Sequence, residues 1–252
     1  MSGKFVDRFT GRAEAYSKYR PTYPREIIDI LNTQIGFNKD KIVADVGSGT
    51  GILTKTFLDN GNRVFGIEPN DEMRSFAEKK LSLHDNFVSV NRSAESTGLP
   101  SSSIDLVTAG QALHWFDPDQ SRREFARILK PTGYVMIVYN ERGKGDGGVM
   151  DDYEKLINKN ATTSVIPDID AEYLVKFFNS KNYREFTVPN KQVLDFDALV
   201  GRAASASYLP SKNDPGYEIM KQDLRKVFDA HQREGLITLI YETTIFLGQI
   251  IP

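Results

Sequence analysis

Residues 44–53, Ala44-Asp45-Val46-Gly47-Ser48-Gly49-Thr50-Gly51-Ile52-Leu53, decide how this chain is read. A short apolar run, Lys41–Val46, enters three alternate glycines and leaves as a helical pattern over Thr50–Asn60. Such a run before turn residues reads as a buried strand. Glycines at the junction permit positive φ and close approach of a ligand to the backbone. The helix that follows offers unpaired N–H groups at its start, so the geometry predicts a nucleotide-like ligand at the carboxyl end of the first strand. Counted from Gly47, the third glycine of the dinucleotide fingerprint G-x-G-x-x-G falls on Ile52, which leaves G-x-G-x-G instead. No G-x-x-x-x-G-K-[ST] phosphate loop occurs. Asp45, two residues ahead of the first glycine, disfavours a pyrophosphate and suits a ligand that carries an ammonium group. Glu68 ends a second strand 21 residues after Gly47, where a carboxylate can accept from both hydroxyls of a ribose.

Outward from this loop, strand and helix patterns alternate. Helices are expected at Pro24–Ile35, Asp71–Leu81 and Pro118–Leu129, and strands at Arg63–Ile67, Asn86–Val90, Ile104–Ala109 and Tyr134–Tyr139. This alternation predicts βαβ units and a parallel sheet with helices on both faces. Four glycines, Gly143, Gly145, Gly147 and Gly148, mark the exit from the fifth strand. Helical patterns then occupy about 150–160, 169–180, 196–208 and 215–233. Late apolar runs around Phe186–Leu194 and Leu236–Ile250 read as strands, the last as an antiparallel partner closing a mixed sheet. The expected organisation is a single domain, 1–252: N-terminal lid helices at 1–35, a cofactor-binding core at 36–140, a helical cap inserted at 141–235 and a closing strand at 236–252.

Composition excludes several classes. The 252 residues contain no cysteine, which removes disulfide scaffolds, thiolate metal sites and cysteine nucleophiles. With 32 basic against 34 acidic residues and a pI near 6.0, nothing pulls the chain toward nucleic acid or an anionic membrane. The charged start, MSGKFVDRFTGR, lacks the apolar run of a signal peptide, and no apolar stretch approaches the ~20 residues of a membrane helix. A cytoplasmic location is expected, as a monomer or homodimer. No His/Asp/Glu group has metal-ligand spacing, so no metal is expected.

With these residues in view, the chain resembles the class I S-adenosylmethionine-dependent methyltransferases. The resemblance covers about 5–140 well and the rest loosely. Asp45-Val46-Gly47-Ser48-Gly49-Thr50-Gly51 resembles the family's first motif, and Glu68-Pro69-Asn70 its acidic second motif. Met73 resembles the apolar residue packed on the adenine, and Ser93-Ala94-Glu95 the segment that reads the adenine amino group. Leu99-Pro100 with Ser103-Ile104-Asp105-Leu106-Val107 resembles the run leading into the fourth strand. Gly110-Gln111-Ala112, continued as Leu113-His114-Trp115-Phe116, is similar to the turn after that strand in the small-molecule subfamily. That subfamily includes trans-aconitate, biotin-pathway and ubiquinone-pathway methyltransferases. The spacing Phe9…Arg12-Ala13…Tyr16 resembles its opening, where a leading helix covers the cofactor.

The resemblance implies a Rossmann-like, doubly wound sheet. It also implies S-adenosylmethionine as cofactor, S-adenosylhomocysteine as product, and a small-molecule acceptor. The acceptor atom is expected to be oxygen, of a carboxylate or hydroxyl, rather than nitrogen or carbon. The run Ala109-Gly110-Gln111-Ala112 replaces the [DNS]-P-P-[YFW] turn of base-amino methyltransferases, which argues against a nucleic-acid acceptor. For His114 two readings stand: a general base, given an ordinary pKa of ~6.5, or a residue that shapes the pocket. Trp115, the sole tryptophan, reads as hydrophobic lining. Tyr16, Tyr19, Arg20 and Tyr23 read either as a helix end or as a lid, with aromatics near a sulfonium and Arg20 on a carboxylate. His84 and His231 are expected in solvent. A nicotinamide oxidoreductase and a cofactor-binding protein without turnover are the rival classes.

Overall fold

The computed structural model describes residues 11–143, 145, 147–163, 171–179 and 182–250. Phe9, the outer residues of the expected 169–180 helix and the first ten residues of the expected lid lie outside them. Two N-terminal helices, α1 (Ala13–Tyr19) and α2 (Glu26–Ile35), precede β1 (Ile42–Val46) and α3 (Ile52–Asp59). Then follow β2 (Arg63–Ile67), α4 (Asp71–Lys80), β3 (Phe87–Val90) and β4 (Ile104–Gly110). After a 3-10 turn at Leu113–Trp115 come α5 (Pro118–Ile128) and β5 (Leu129–Arg142). The rest of the chain forms α6 (Val149–Asn160), α7 (Ala171–Phe178), β6 (Tyr183–Leu194), α8 (Phe196–Ala204), α9 (Tyr217–His231) and β7 (Ile237–Gly248).

The seven strands make one sheet in the order β3-β2-β1-β4-β5-β7-β6. β1 pairs in parallel with β2 on one side and β4 on the other, so the chain reverses its winding direction there. In doubly wound sheets that reversal leaves a crevice beyond the carboxyl ends of the strands, and the glycine loop opens into it. β7 runs antiparallel to both β5 and β6, which makes the sheet mixed, as the alternating tail of the sequence implies. Successive residues of the central strands feed opposite faces. Val43, Leu106, Met136 and Val138 pack with α2, α3 and α4, whereas Ala44, Val107, Val135 and Ile137 pack with α5 and α7. At ~25 cal/mol per Å² of apolar surface removed from water, these two layers carry most of the fold's stabilisation.

A third cluster gathers α6, α8 and α9 on the first half of β7, through Tyr153, Leu199, Leu224, Leu239 and Tyr241. β6 interrupts the expected 141–235 cap and belongs to the main sheet. β5 is also longer than the Tyr134–Tyr139 run. It starts at Leu129 directly from α5 and absorbs Pro131-Thr132-Gly133 through a register shift opposite Ile104 and Leu106. His231 is not simply solvated, because its Nε2 lies 2.9 Å from Asp152 Oδ2 and fixes the end of α9 on α6.

Candidate functional site

The glycine loop is bent by its own backbone. The N–H groups of Gly47 and Ser48 both donate to the carbonyl of Ile67, at 2.8 and 3.1 Å, which hangs the loop from the end of β2. Gly47 has φ +67, and a Cβ there would lie 2.7 Å from the Cβ of Ala112, so no other residue fits. Gly49, at φ +54, meets nothing closer than Met73 Cε at 3.9 Å and presents bare backbone to the cleft. Ile52, the first residue of α3, lines the same cleft where the dinucleotide fingerprint requires glycine.

Two carboxylates support the loop. Glu68 is 9% exposed; its Oε2 accepts from Gly49 N–H at 2.9 Å and its Oε1 from Asn70 N–H at 2.8 Å. Burial pushes its pKa up, against those two hydrogen bonds. Glu68 thus braces the loop and retains further lone pairs for an outside donor. Asp45 lies on the floor of the cleft, with Oδ2 taking the Thr54 hydroxyl at 2.6 Å and Oδ1 the Thr108 hydroxyl at 3.0 Å. Burial raises its pKa to about 6. Both oxygens hold threonine hydroxyls, so Asp45 faces the cleft as a hydrogen-bonded carboxyl whose charge, once ionised, is what an ammonium group would meet.

The remaining expected residues fall into distinct places. Asn70 caps α4 by accepting from Met73 N–H at 2.9 Å, Pro69 precedes it, and Met73 is buried beneath Gly49. Ala94 is packed in the core, and Ser93 bridges Ser96 in a tight turn. Glu95 Oε1 accepts from Asp117 N–H at 3.0 Å, which ties this segment to the start of α5. Asp105, from the run that enters β4, takes the Ile42 N–H at 2.9 Å and Lys130 at 2.7 Å, a role in joining strands. Gly110 admits the Tyr23 ring, since a Cβ there would sit 2.6 Å from the tyrosine hydroxyl. Gln111 holds φ +55, a conformation unfavourable for a side-chain-bearing residue, fixed by its N–H on Val138 O and its amide on Asn140 O. Both Gly110 and Gln111 line the cleft.

Tyr16, Arg20, Pro21 and Tyr23 line the cleft, whose volume is about 480 Å³ including its open mouth. Arg20 stacks on the Tyr16 ring at 4.8 Å and donates to Ser205 O at 3.0 Å, while its Nε is buried without a partner. Tyr19 does not face the cleft. Its ring packs on Gly201 of α8, where a Cβ would come within 2.3 Å. His114 and Trp115 also stand apart from the cleft-lining residues, with rings 4.6 Å from each other. His114 Nδ1 lies 3.4 Å from the Tyr139 hydroxyl and Nε2 is buried without a partner. Burial lowers its pKa to about 4, so the general-base reading loses the near-neutral pKa that motivated it. The sequence reading missed Asn140 and Arg202. Asn140 donates to Pro21 O and Thr22 O and so anchors that segment to β5, and Arg202 closes the far wall.

A glycine loop at the switch point of a doubly wound sheet, braced by the carboxylate that ends β2, lies where doubly wound α/β domains bind their ligands. Residues 44–137 match the family model described as a methyltransferase domain. An uncharacterized methyltransferase of Mycobacterium tuberculosis is 35% identical over 141 residues, 56% of this chain and 55% of that protein. The match spans about half the length of the first curated relatives. A solved structure from Anaeromyxobacter dehalogenans, provisionally described as a type II methyltransferase, aligns with TM-score 0.71 at 21% identity over 93% of this chain and 99% of that one. The [4+2]-cyclase SpnF aligns with TM-score 0.58 at 15% identity over 99% of this chain and 96% of that one, so the fold alone does not name a reaction. Residues 44–137 are thus similar to a methyltransferase domain, and the chain shares the fold of solved structures described as methyltransferases. Among the described residues no helix is long and apolar enough to cross a membrane.

Proposed function

We propose that the protein moves a methyl group from S-adenosylmethionine to an oxygen, carboxylate or hydroxyl, of a small molecule and leaves S-adenosylhomocysteine. The observation that carries this reading is the bare backbone at Gly49, held by Glu68 and opening into a cleft that also contains the buried, unpartnered Nε of Arg20. The donor set fits the cofactor. Glu68 accepts from the ribose, Met73 and Ala94 bound the adenine side, and Arg20 takes the methionine carboxylate as a charge-assisted pair. When bound, the cofactor supplies a sulfonium whose methyl is already activated for displacement. The chain's own residues then act by placement and exclusion. Gly47, Gly49 and Gly110 leave room that side chains would fill, Gln111 and Asn140 fix the rim, and Tyr16, Arg20 and Tyr23 keep water out. Residues 11–23 serve as the cover, held by Arg12 on the carbonyls of Ala204, Ala206 and Leu209 at 2.8–3.0 Å. Ile52 at the first turn of α3 weighs against a nicotinamide cofactor.

Thermal unfolding with and without ligand tests the reading. S-adenosylhomocysteine at a hundredfold excess over Kd should stabilise the protein by ~2.7 kcal/mol, and NAD should not. A shift with NAD and none with S-adenosylhomocysteine would end it.

A further inference from the structure

The cap sends into the cleft a charge for which the cofactor has no use. Arg202 lies on the inward face of α8 with Leu199 and Ala203, is 4% exposed, and lines the cleft. Among the described residues its one hydrogen bond runs from Nε to the Tyr241 hydroxyl, at 3.0 Å, which leaves both terminal nitrogens unused. Desolvating a cation costs several kcal/mol, and protein interiors normally offset that with a counter-charge. Here, against burial, the phenols of Tyr241, Tyr153 and Tyr208 stand in for a carboxylate and hold the Arg202 pKa above its ordinary value. Arg142 takes the one carboxylate bonded within the cluster, Glu154, at 2.8 Å, and donates to the Tyr208 hydroxyl at 2.8 Å. Arg20 stands close enough that, after burial, Arg202 is the next cause lowering its pKa. Burial pushes the Tyr208 phenol up, but Arg142, Arg202 and Arg20 outweigh it and hold it below its ordinary value. Among the described residues, three guanidiniums therefore share one carboxylate.

A loaded site is more positive still. The cofactor brings a sulfonium and an ammonium against a single carboxylate, and Arg20 suffices for that carboxylate. Asp45, the acidic residue in the cleft lining, can balance one of those two cations, not both. The free fork of Arg202 still lacks an anion, and a guanidinium fork matches two oxygens of one oxyanion. We propose that Arg202 reads the acceptor and that the acceptor carries an oxyanion, a carboxylate or a phosphate ester. This rests on the methyltransferase reading above and names the acceptor class for it.

The test uses the full chain as wild type, Arg202→Met and Arg202→Lys. Calorimetry first measures S-adenosylhomocysteine on each, then titrates each complex at millimolar concentration with succinate, citrate, glycerol 3-phosphate and the neutral succinamide. Affinity for S-adenosylhomocysteine should stay within about twofold across the three proteins. At least one oxyanion should bind the wild-type complex and bind Arg202→Met about tenfold or more weakly, with Arg202→Lys between them. The carboxylate and phosphate arms separate the two sources. Removing a buried charge should leave Arg202→Met at least as heat-stable as wild type. A lower melting temperature marks a structural arginine and overturns the proposal. So does a tenfold loss of S-adenosylhomocysteine affinity in Arg202→Met, which gives the arginine to the cofactor. Binding of succinamide as tight as succinate, or no oxyanion binding to the wild-type complex, overturns it as well. Failure of wild type to bind S-adenosylhomocysteine overturns the cofactor reading instead.

Discussion

Asp45→Asn should make this protein more stable at neutral pH while damaging its site. The Asp45 carboxyl, at the end of β1, is 1% exposed, and burial raises its pKa from 3.8 to about 6 in spite of two threonine hydroxyls. Between those values the folded protein keeps the proton that the unfolded chain has released, so raising pH through this window removes stability. A shift of this size amounts to about 3 kcal/mol at full ionisation, of which roughly half is incurred between pH 5 and 7.5. Asparagine cannot ionise and removes that cost. One threonine hydroxyl must turn to accept from the new amide, at about 1 kcal/mol that does not vary with pH. The net gain is therefore about 2 kcal/mol at pH 7.5 and about 0.5 kcal/mol at pH 5.

Urea unfolding of both proteins at pH 5 and 7.5 reads this difference. The comparison cancels His114, whose lowered pKa works in the opposite direction. Below its unfolded value of 6.5 the unfolded chain gains a proton that the fold refuses until about pH 4, so stability falls with falling pH there. A stability difference between the two proteins that is the same at both pH values would refute the reasoning. Binding supplies a second arm: S-adenosylhomocysteine affinity should rise from pH 5 to 7.5 in wild type and stay flat in Asp45→Asn, because only an ionised Asp45 offsets the ligand's ammonium.

Glu68→Ala should weaken S-adenosylhomocysteine by about 1.5–3 kcal/mol in calorimetry, since it removes an acceptor and frees the Gly49 N–H it braces; unchanged affinity would place the ribose elsewhere. Gly201→Ala should drive the Tyr19 ring off α8 and speed amide exchange across residues 11–23, although alanine alone would favour the helix by ~1 kcal/mol. A higher melting temperature with unchanged exchange would show that α1 does not depend on that contact.

Much of the fold was legible because its signals are local. The apolar run before Gly47 and the 3.6-residue spacing of Met73, Ala77 and Leu81 each need only a few neighbours to be read. The placement of Gly47–Gly51 and Glu68 at the ends of the first two strands was legible for the same reason. The site's finer chemistry was not. Whether Asp45 is free or occupied depends on Thr108, 63 positions away, and whether Tyr19 faces the cleft depends on a glycine in α8. Arg202 carried a signal that could have been used. In Phe196–Ala204 it is a charged residue at helical spacing among Leu199, Val200 and Ala203, and a buried cation on an apolar face asks for an anion. Nothing in sequence spacing tells whether that anion would come from a neighbouring acid or from a ligand in the cleft.

The state of His114 and the charge of the cleft belong to one argument. A base near neutrality is required where a hydroxyl must lose its proton as the new bond forms. With its pKa lowered to about 4, His114 is neutral over the physiological range and a weak base, and it does not stand among the cleft-lining residues. A carboxylate or phosphate acceptor arrives already deprotonated, so its oxygen needs alignment with the methyl and no proton acceptor. On the acceptor class proposed above, an arginine-rich cleft would select that ionised form by binding it, and the same cations would keep the oxyanion from being reprotonated. The two features agree with the proposal that the site's electrostatics serve to hold an anion still, with catalysis resting on proximity and the exclusion of water. If that is right, kcat with an acid acceptor should stay level between pH 6 and 9, where a hydroxyl acceptor served by a titrating base would show a rising limb. His114→Gln should then change kcat by no more than about threefold, and a loss of a hundredfold would restore the histidine as the base.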